Sequence, residues 1–410
     1  MKIKDIGNVV TGKTPQTAHA EFYGGDYMFI TPTELHGGYK ISSSEKTLTE
    51  AGLESIKTNS IDGISVLVGC IGWDMGNVAM CFEKCATNQQ INSITQISED
   101  YSPYFLYYWL STKKEYLFSI SSVTRTPILS KGVFEEIEIP SISRSEQDKI
   151  AKVLLVLDKK IKLNSEVNDN LAQQLRLLYD YWFTQFDFPD ESGNPYRSSG
   201  GQMVWNSGLK RKIPESWCVV PLGEVSSFRN GINYDKNTTG DTTYHIVNVR
   251  NISSSSILLD ERELDEICLP CTQAEKYLVS NESILIARSG IPGAPRILYN
   301  PSEDIIFCGF IICATPIDSI LQHYLMLFLK QLEGSTATQT GGSILKNVSQ
   351  DTLRDLLVPI PSKDILTQFN QRVALIYEFM HNNLEETSKL QNLRDWLLPM
   401  LMNGQATISD

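Results

Sequence analysis

The chain has 410 residues, too many for one compact core, so two or more domains are expected. Hydrophobic residues make up 41% and charged residues 20%, ordinary for a globular protein in water. A net charge of −12 argues against a free-standing nucleic-acid binder held only by bulk charge, but not against a DNA reader whose basic groups are local or whose phosphate contacts come partly from partner subunits.

Met1-Lys-Ile-Lys-Asp is followed by no apolar run of the signal-peptide kind, and no apolar stretch reaches membrane-spanning length. Eight cysteines scattered through the chain fit reduced thiols, so a cytoplasmic protein without a membrane segment is expected. Residues 1–142 read as strand-rich. Runs such as Ile64-Ser-Val-Leu-Val68 are bounded by Gly, Pro, Asn and Ser, and a helix follows over about Pro103 to Glu115. A long helix is predicted over 143–186, opened by a Ser143/Glu146 capping box. Its stripe Ile150, Leu154, Leu157, Ile161, then Leu171, Leu175, Leu178, Trp182 steps by four and three, as a coiled-coil seam does. In the middle, the same steps fall on Asn164 and Asn168.

Residues 187–217 read as a polar, turn-forming linker closed by Lys210-Arg211-Lys212, a cluster expected to be a solvated face. Residues 218–361 read as a second strand-rich domain, with strands at Ser283–Ala287 and Ile305–Phe307 and a helix over about Ser319 to Leu332. A second long helix and tail occupy 362–410, with Pro399 kinking or ending its last turn and Gly404 as a stop.

Adding 219 to the first seam gives Phe369, Val373, Ile376, Met380, then Asn383 and Thr387, then Leu390, Arg394, Leu397, Leu401. The polar break recurs in place, and Arg394 departs from the apolar positions. Asp5-Ile6 before Gly12 matches Glu224-Val225 before Gly231, and Phe134, Ile137, Ile139, Pro140 match Leu353, Leu356, Val358, Pro359. The chain is therefore a duplicated unit: domain, long helix, domain, long helix. Each long helix would measure about 55 Å at the helical rise. Antiparallel pairing about the midpoints would bring Asn164, Asn168, Asn383 and Thr387 together as a register device, since slippage would leave buried amides unpaired.

Several short motifs are set aside. Gly7-Asn-Val-Val-Thr-Gly12-Lys13-Thr14 fits the phosphate-loop pattern, but a buried strand does not precede it and Pro15 follows at once. Asn194-Pro195-Tyr196 is an incomplete amino-methyltransferase motif and reads as a turn. Cys268-Leu-Pro-Cys271 and the pair Cys81, Cys85 lack the ligand spacing of a zinc site, and no nuclease carboxylate constellation is evident. What remains are Gly-rich loops with side chains suited to DNA. In the first domain these are Lys13, Thr14, Trp73, Asn77, Gln89 and Gln90. In the second they are Arg229, Asn230, Tyr234, Arg250, Arg288, Ser289 and Arg296. Arg suits the guanine edge, Asn and Gln the adenine edge, Lys the phosphates.

At this point the chain resembles the specificity subunit of a type I restriction–modification system. Gly193-Asn-Pro-Tyr-Arg-Ser-Ser-Gly-Gly-Gln-Met-Val-Trp205 and Ile213-Pro-Glu-Ser-Trp217 are similar to that family's connector, and Leu393-Arg-Asp-Trp-Leu-Leu-Pro-Met-Leu-Met-Asn-Gly404 to its C-terminal signature. Thr11-Gly-Lys-Thr-Pro15 and Asn88-Gln-Gln-Ile91 are similar to its recurring recognition-domain motifs. The resemblance implies an α+β fold: two strand-rich recognition domains with small helices, separated by two long helices packed as an antiparallel coiled coil, with a pseudo-twofold internal repeat. It implies a non-catalytic subunit that reads a split sequence in double-stranded DNA and docks two methyltransferase subunits and the restriction/translocase subunits. S-adenosylmethionine would bind in the partners, and this chain would carry no cofactor and no metal. Two other classes compete: a self-contained DNA methyltransferase or nuclease, for which cofactor and metal motifs are missing, and a coiled-coil scaffold, which leaves two large polar-looped domains unexplained.

Overall fold

A computed structural model describes residues 1–123, 125–234, 240–333 and 348–408. The second recognition domain expected over 218–361 thus includes 235–239 and 334–347, which lie outside the described residues. The chain forms two compact units, Met1–Lys162 with Lys389–Asp410, and Leu163–Ser388. Each unit takes one strand-rich domain and a stretch of both long helices.

In the first unit Asn8–Thr11, Ile91–Thr95, Ser65–Gly69 and Val78–Cys81 form an antiparallel sheet in that order. A second sheet runs Lys46–Leu48, Tyr23–Ile30, Cys85–Thr87, Ser60–Ile61, with Tyr23–Ile30 parallel to Cys85–Thr87. The second unit repeats the plan. Ser226–Asn230, Ile311–Pro316, Ile284–Ala287 and Pro295–Arg296 form the antiparallel sheet. Asp265–Leu269, Thr242–Val247 and Ile305–Phe307 form the other, its last pair parallel.

The first sheet of each unit is covered on both faces, which explains its unbroken apolar runs. Val66 and Val68 pack with Phe105, Leu106 and Trp109 of helix Pro103–Ser111, while Leu67 lies in a separate cluster with Ile30 and Cys85 of the second sheet. Ile284 and Ile286 likewise share a core with Tyr324 and Leu325, and Leu285 and Ala287 share another with Ile246 and Phe307. This is the period of two that a strand imposes on its side chains. Each such buried Leu, Ile or Phe stabilises the fold by about 1.5–3 kcal/mol.

The first long helix spans Arg144–Tyr179 and ends in a π-helical turn over Asp180–Thr184. Its capping box forms as expected: Glu146 N–H donates to Ser143 Oγ at 3.3 Å, and Ser143 N–H to Glu146 Oε2 at 3.3 Å. The second runs Lys363–Met402 through Pro399, and Gly404 (φ +69°) stops it. Within the second unit the two helices run antiparallel. Asn164 donates to Glu386 Oε2 at 2.8 Å, Asn383 donates to Asn168 Oδ1 at 2.9 Å, and Asn168 donates to the Met380 carbonyl at 3.1 Å. Three of the four expected register residues therefore engage across the seam. The partner of Asn164 is Glu386 rather than its neighbour Thr387, because the longer acidic side chain supplies the acceptor that a buried amide needs.

The stretch expected to be a polar linker is instead folded. Met203–Asn206 pairs antiparallel with Arg211–Pro214, and Phe188 stacks between Tyr196 and Trp217. Asp187 accepts from the Ser198 N–H and hydroxyl at 2.8 and 2.7 Å. Of the basic cluster, Arg211 lies over the Phe186 ring at 5.0 Å. Aromatic residues spaced among Gly and Ser were the sign that this polar composition hides a small core. Asn194-Pro195-Tyr196 is a turn here, with Tyr196 donating to the Gln202 carbonyl.

Candidate nucleic-acid interface

Three loops come together in each unit, held by the same main-chain bonds. In the first unit Gly12 N–H donates to the Ile91 carbonyl at 3.1 Å and Lys13 N–H to the Thr87 carbonyl at 2.9 Å. In the second, Gly231 N–H donates to Ile311 at 3.1 Å and Ile232 N–H to Phe307 at 2.9 Å. A Cβ on Gly12 would lie 2.2 Å from the Asn88 carbonyl, and one on Gly231 2.2 Å from the Cys308 carbonyl, so both positions require glycine. The third loop is the hairpin connection at 70–77 or 288–294. Cys70 N–H donates to the Gln90 carbonyl at 2.7 Å, and Arg288 N–H to the Phe310 carbonyl at 2.9 Å. Gly72 and Gly76, like Gly290 and Gly293, have positive φ.

The first cluster gathers most of the expected residues. Lys13 is exposed. Thr14 donates to Gln89 Oε1 at 2.8 Å, linking two loops. Gln90 is turned back, its Oε1 accepting from Asn88 Nδ2 at 3.0 Å, so the exposed amide here is Gln89. Trp73 stands at the hairpin tip, 72% exposed. Asn77 is fixed beside it, accepting from Lys114 Nζ at 2.9 Å and donating to Asp74 Oδ2 at 3.0 Å. The Lys114 ammonium, 2.7 Å from Asp74, holds that carboxyl below the usual carboxylate range.

The second cluster corrects part of the expectation. Arg296 is not a surface residue: it is 2% exposed, and its guanidinium bonds the Ser255 and Pro295 carbonyls and pairs with Glu333 at 3.0 Å. It lies in a strand whose side chain points into the core, so it satisfies buried acceptors instead of bases. Arg229 is half-committed as well, donating to the Lys276 and Leu278 carbonyls with its guanidinium 5.5 Å from the Phe307 ring centre. Arg250 is exposed but paired with Asp265, which also accepts from Asn248 at 2.9 Å. Asn230 is exposed, Ser289 half-buried, and Tyr234 packs partly against the second core. Arg288 is half-buried, with a 3.4 Å contact from Nη1 to the Gly309 carbonyl.

Sequence reading missed Phe310, which occupies in the second unit the loop place of Gln90 and is 63% exposed. Shifting Asn88-Gln-Gln-Ile91 by 220, one more than the general offset, would have found it. The phosphate-loop pattern is set aside on order alone: helix Ile3–Ile6 precedes strand Asn8–Thr11, the reverse of that motif. Among the described residues no group of three or more His, Cys, Asp or Glu could hold a metal, and no helix is long and apolar enough to cross a membrane.

Residues 1–173 and 214–393 match the family described as the type I restriction modification DNA specificity domain. The chain belongs to that family. The matched segments of this specificity chain contain both loop clusters. The type I restriction enzyme MjaIX specificity subunit of Methanocaldococcus jannaschii is 27% identical over the whole chain and 93% of that relative. The HindI specificity subunit of Haemophilus influenzae is 33% identical over 43% of this chain and 39% of its own. The crystal structure of a type I restriction–modification S subunit from M. genitalium shares the fold, with TM-score 0.55 at 17% identity, covering 98% of this chain and 95% of that one. A specificity component recognises DNA and is not itself a catalyst.

Proposed function

We propose that this specificity chain reads a bipartite sequence in double-stranded DNA, one half by each loop cluster, and presents it to methyltransferase and restriction subunits that supply the chemistry. One observation carries the reading: the same backbone frame is built twice, and each copy displays a different set of side chains. The first displays Lys13, Thr14 with Gln89, Trp73 and Asn77. The second displays Asn230, Arg288, Ser289 and Phe310. Amide and guanidinium groups discriminate base edges in the major groove, while a lysine binds phosphate without regard to sequence. S-adenosylmethionine would be held by the methyltransferase partners.

Two copies of one partner are supported by a second duplication. Val156 and Trp396 stand exposed on the helices of the first unit, and Leu375 and Leu177 on those of the second. The offset of 219 relates Val156 to Leu375 and Leu177 to Trp396. Large apolar side chains held out of a helix face at equivalent places suit one docking surface used twice.

Mapping adenine methylation across the genome of a host that carries this chain with its partners tests the reading. Two short fixed sequences separated by an unread gap are expected. A single contiguous motif would sink the proposal.

A further inference from the structure

Both loop clusters present one large aromatic ring to solvent at a rigid tip. The Trp73 loop is pinned on either side: Met75 N–H donates to Gly72, Gly76 N–H to Gly69, Met75 itself is buried, and Asp74 is tied to Lys114. The Phe310 loop is pinned by Gly309 N–H to Ile232 at 2.7 Å, Ile311 N–H to Cys308 at 2.9 Å, and the Arg288 bond to the Phe310 carbonyl. Isolated exposed apolar side chains are common and need no function. These two differ in being held by ordered backbone, on two different loops of the frame that one main-chain bond links in each unit, Cys70 N–H to the Gln90 carbonyl and Arg288 N–H to the Phe310 carbonyl. Their loops adjoin those of the groups already assigned to bases: the loop of Trp73 is bonded to Gln90, next to Gln89, and Phe310 is bonded to Arg288. A ring fixed in this way loses little conformational entropy on binding.

We infer that Trp73 and Phe310 are base-stacking wedges, each inserting against a base step of the half-site read by its own unit. The inference rests on the DNA-reading function proposed above. Apolar wedges of this kind partly unstack a step and kink the duplex, and every base offers a face for stacking whatever its sequence. The wedge therefore adds affinity and deformability readout, while Gln89 and Arg288 supply base identity.

The test uses the complex assembled with its methyltransferase partners. Target duplexes carry 2-aminopurine at successive positions of each half, the methylated adenines excepted. One position in the first half should change emission on binding, and Trp73→Ala should return it to the free-duplex value while Phe310→Ala leaves it changed. The second half should show the mirror result. Each alanine variant should bind about tenfold more weakly, and Trp73→Phe should retain most of the signal and affinity. A signal that survives Trp73→Ala overturns the wedge. So does loss of methyltransferase capture by Trp73→Ala without DNA, which makes the ring a protein contact. A wild-type complex that prefers no sequence overturns the DNA reading and the wedge together, and is recognised because all duplexes then behave alike.

Discussion

Helix meets domain differently in the two units, at positions related by the repeat. In the first, Tyr108 donates to Asp158 Oδ2 at 2.6 Å and Arg394 donates to Asp158 Oδ1 at 2.9 Å. In the second, the same three places hold Leu327, Tyr377 and Leu175, all buried, and Tyr377 lies against His323 with ring centres 4.9 Å apart. One joint is a hydrogen-bonded ion pair, the other an apolar contact with an aromatic pair. Burial, and after it the Asp158 charge, raise the Tyr108 hydroxyl pKa. Burial alone pushes His323 down to about 4. One backbone joint thus accepts either chemistry, provided the partners change together. It also explains why Arg394 departs from the seam: the repeat exchanged Tyr for Asp158 at the facing position.

A large effect should come from breaking the charged joint on one side. Arg394→Leu leaves Asp158 with 10% side-chain exposure and no cation, and should cost about 2–3 kcal/mol, the lower range because Arg394 is itself 29% exposed. Adding Tyr108→Leu and Asp158→Tyr, which installs the second unit's chemistry, should recover most of that loss in urea unfolding. If the triple variant is weaker than Arg394→Leu, the joints are not interchangeable.

Acid should separate the units next. His323 is neutral in both folded and unfolded chains above about pH 6.5. Between there and about 4 the unfolded chain binds the proton and the folded one does not, so stability falls with pH. The loss should approach about 3 kcal/mol near pH 4 and level off below it. The first unit has Tyr104 at that place and should not share this loss. Urea midpoints against pH for wild type and His323→Leu check this, and an equally steep slope in the variant would refute it.

At the loop clusters, Arg288→Ala should weaken recognition of the second half-site alone by about 1–3 kcal/mol, and Gln89→Ala of the first alone. Competition binding with duplexes altered in one half reads this directly. Uniform weakening would mark either residue as a phosphate contact. The smallest effect concerns the seam of the second unit. Asn383→Leu alone should cost about 1–2 kcal/mol by leaving Asn168 short of a donor, whereas Asn168→Leu with Asn383→Leu should be near neutral. A double-mutant cycle with no coupling would mean the amide pair does not act as a unit.

The repeat, the strand-rich domains, both long helices and the capping box were legible because each rests on local periodicity or spacing. The hairpin over 203–214 was not, since its stability comes from Phe186, Phe188 and Trp217 packing at a distance along the chain. Arg296 shows the limit for sites. Arg residues on Gly-flanked segments look alike in sequence, and only the partner Glu333, 37 residues on, separates a core ion pair from a base reader. Phe310 escaped because single-residue slippage in the offset hid its place beside Gln90.

The glycine frame of the loop clusters has an evolutionary consequence. Its bonds run between main-chain atoms, so Lys13, Thr14, Gln89 and Phe310 can be exchanged without rebuilding the support. Gly12 and Gly231 cannot, because any side chain there collides with the neighbouring carbonyl. A lineage can then acquire a new target by drift in a few displayed side chains. Among descendants of this chain the two glycines should stay fixed while their neighbours diversify fastest.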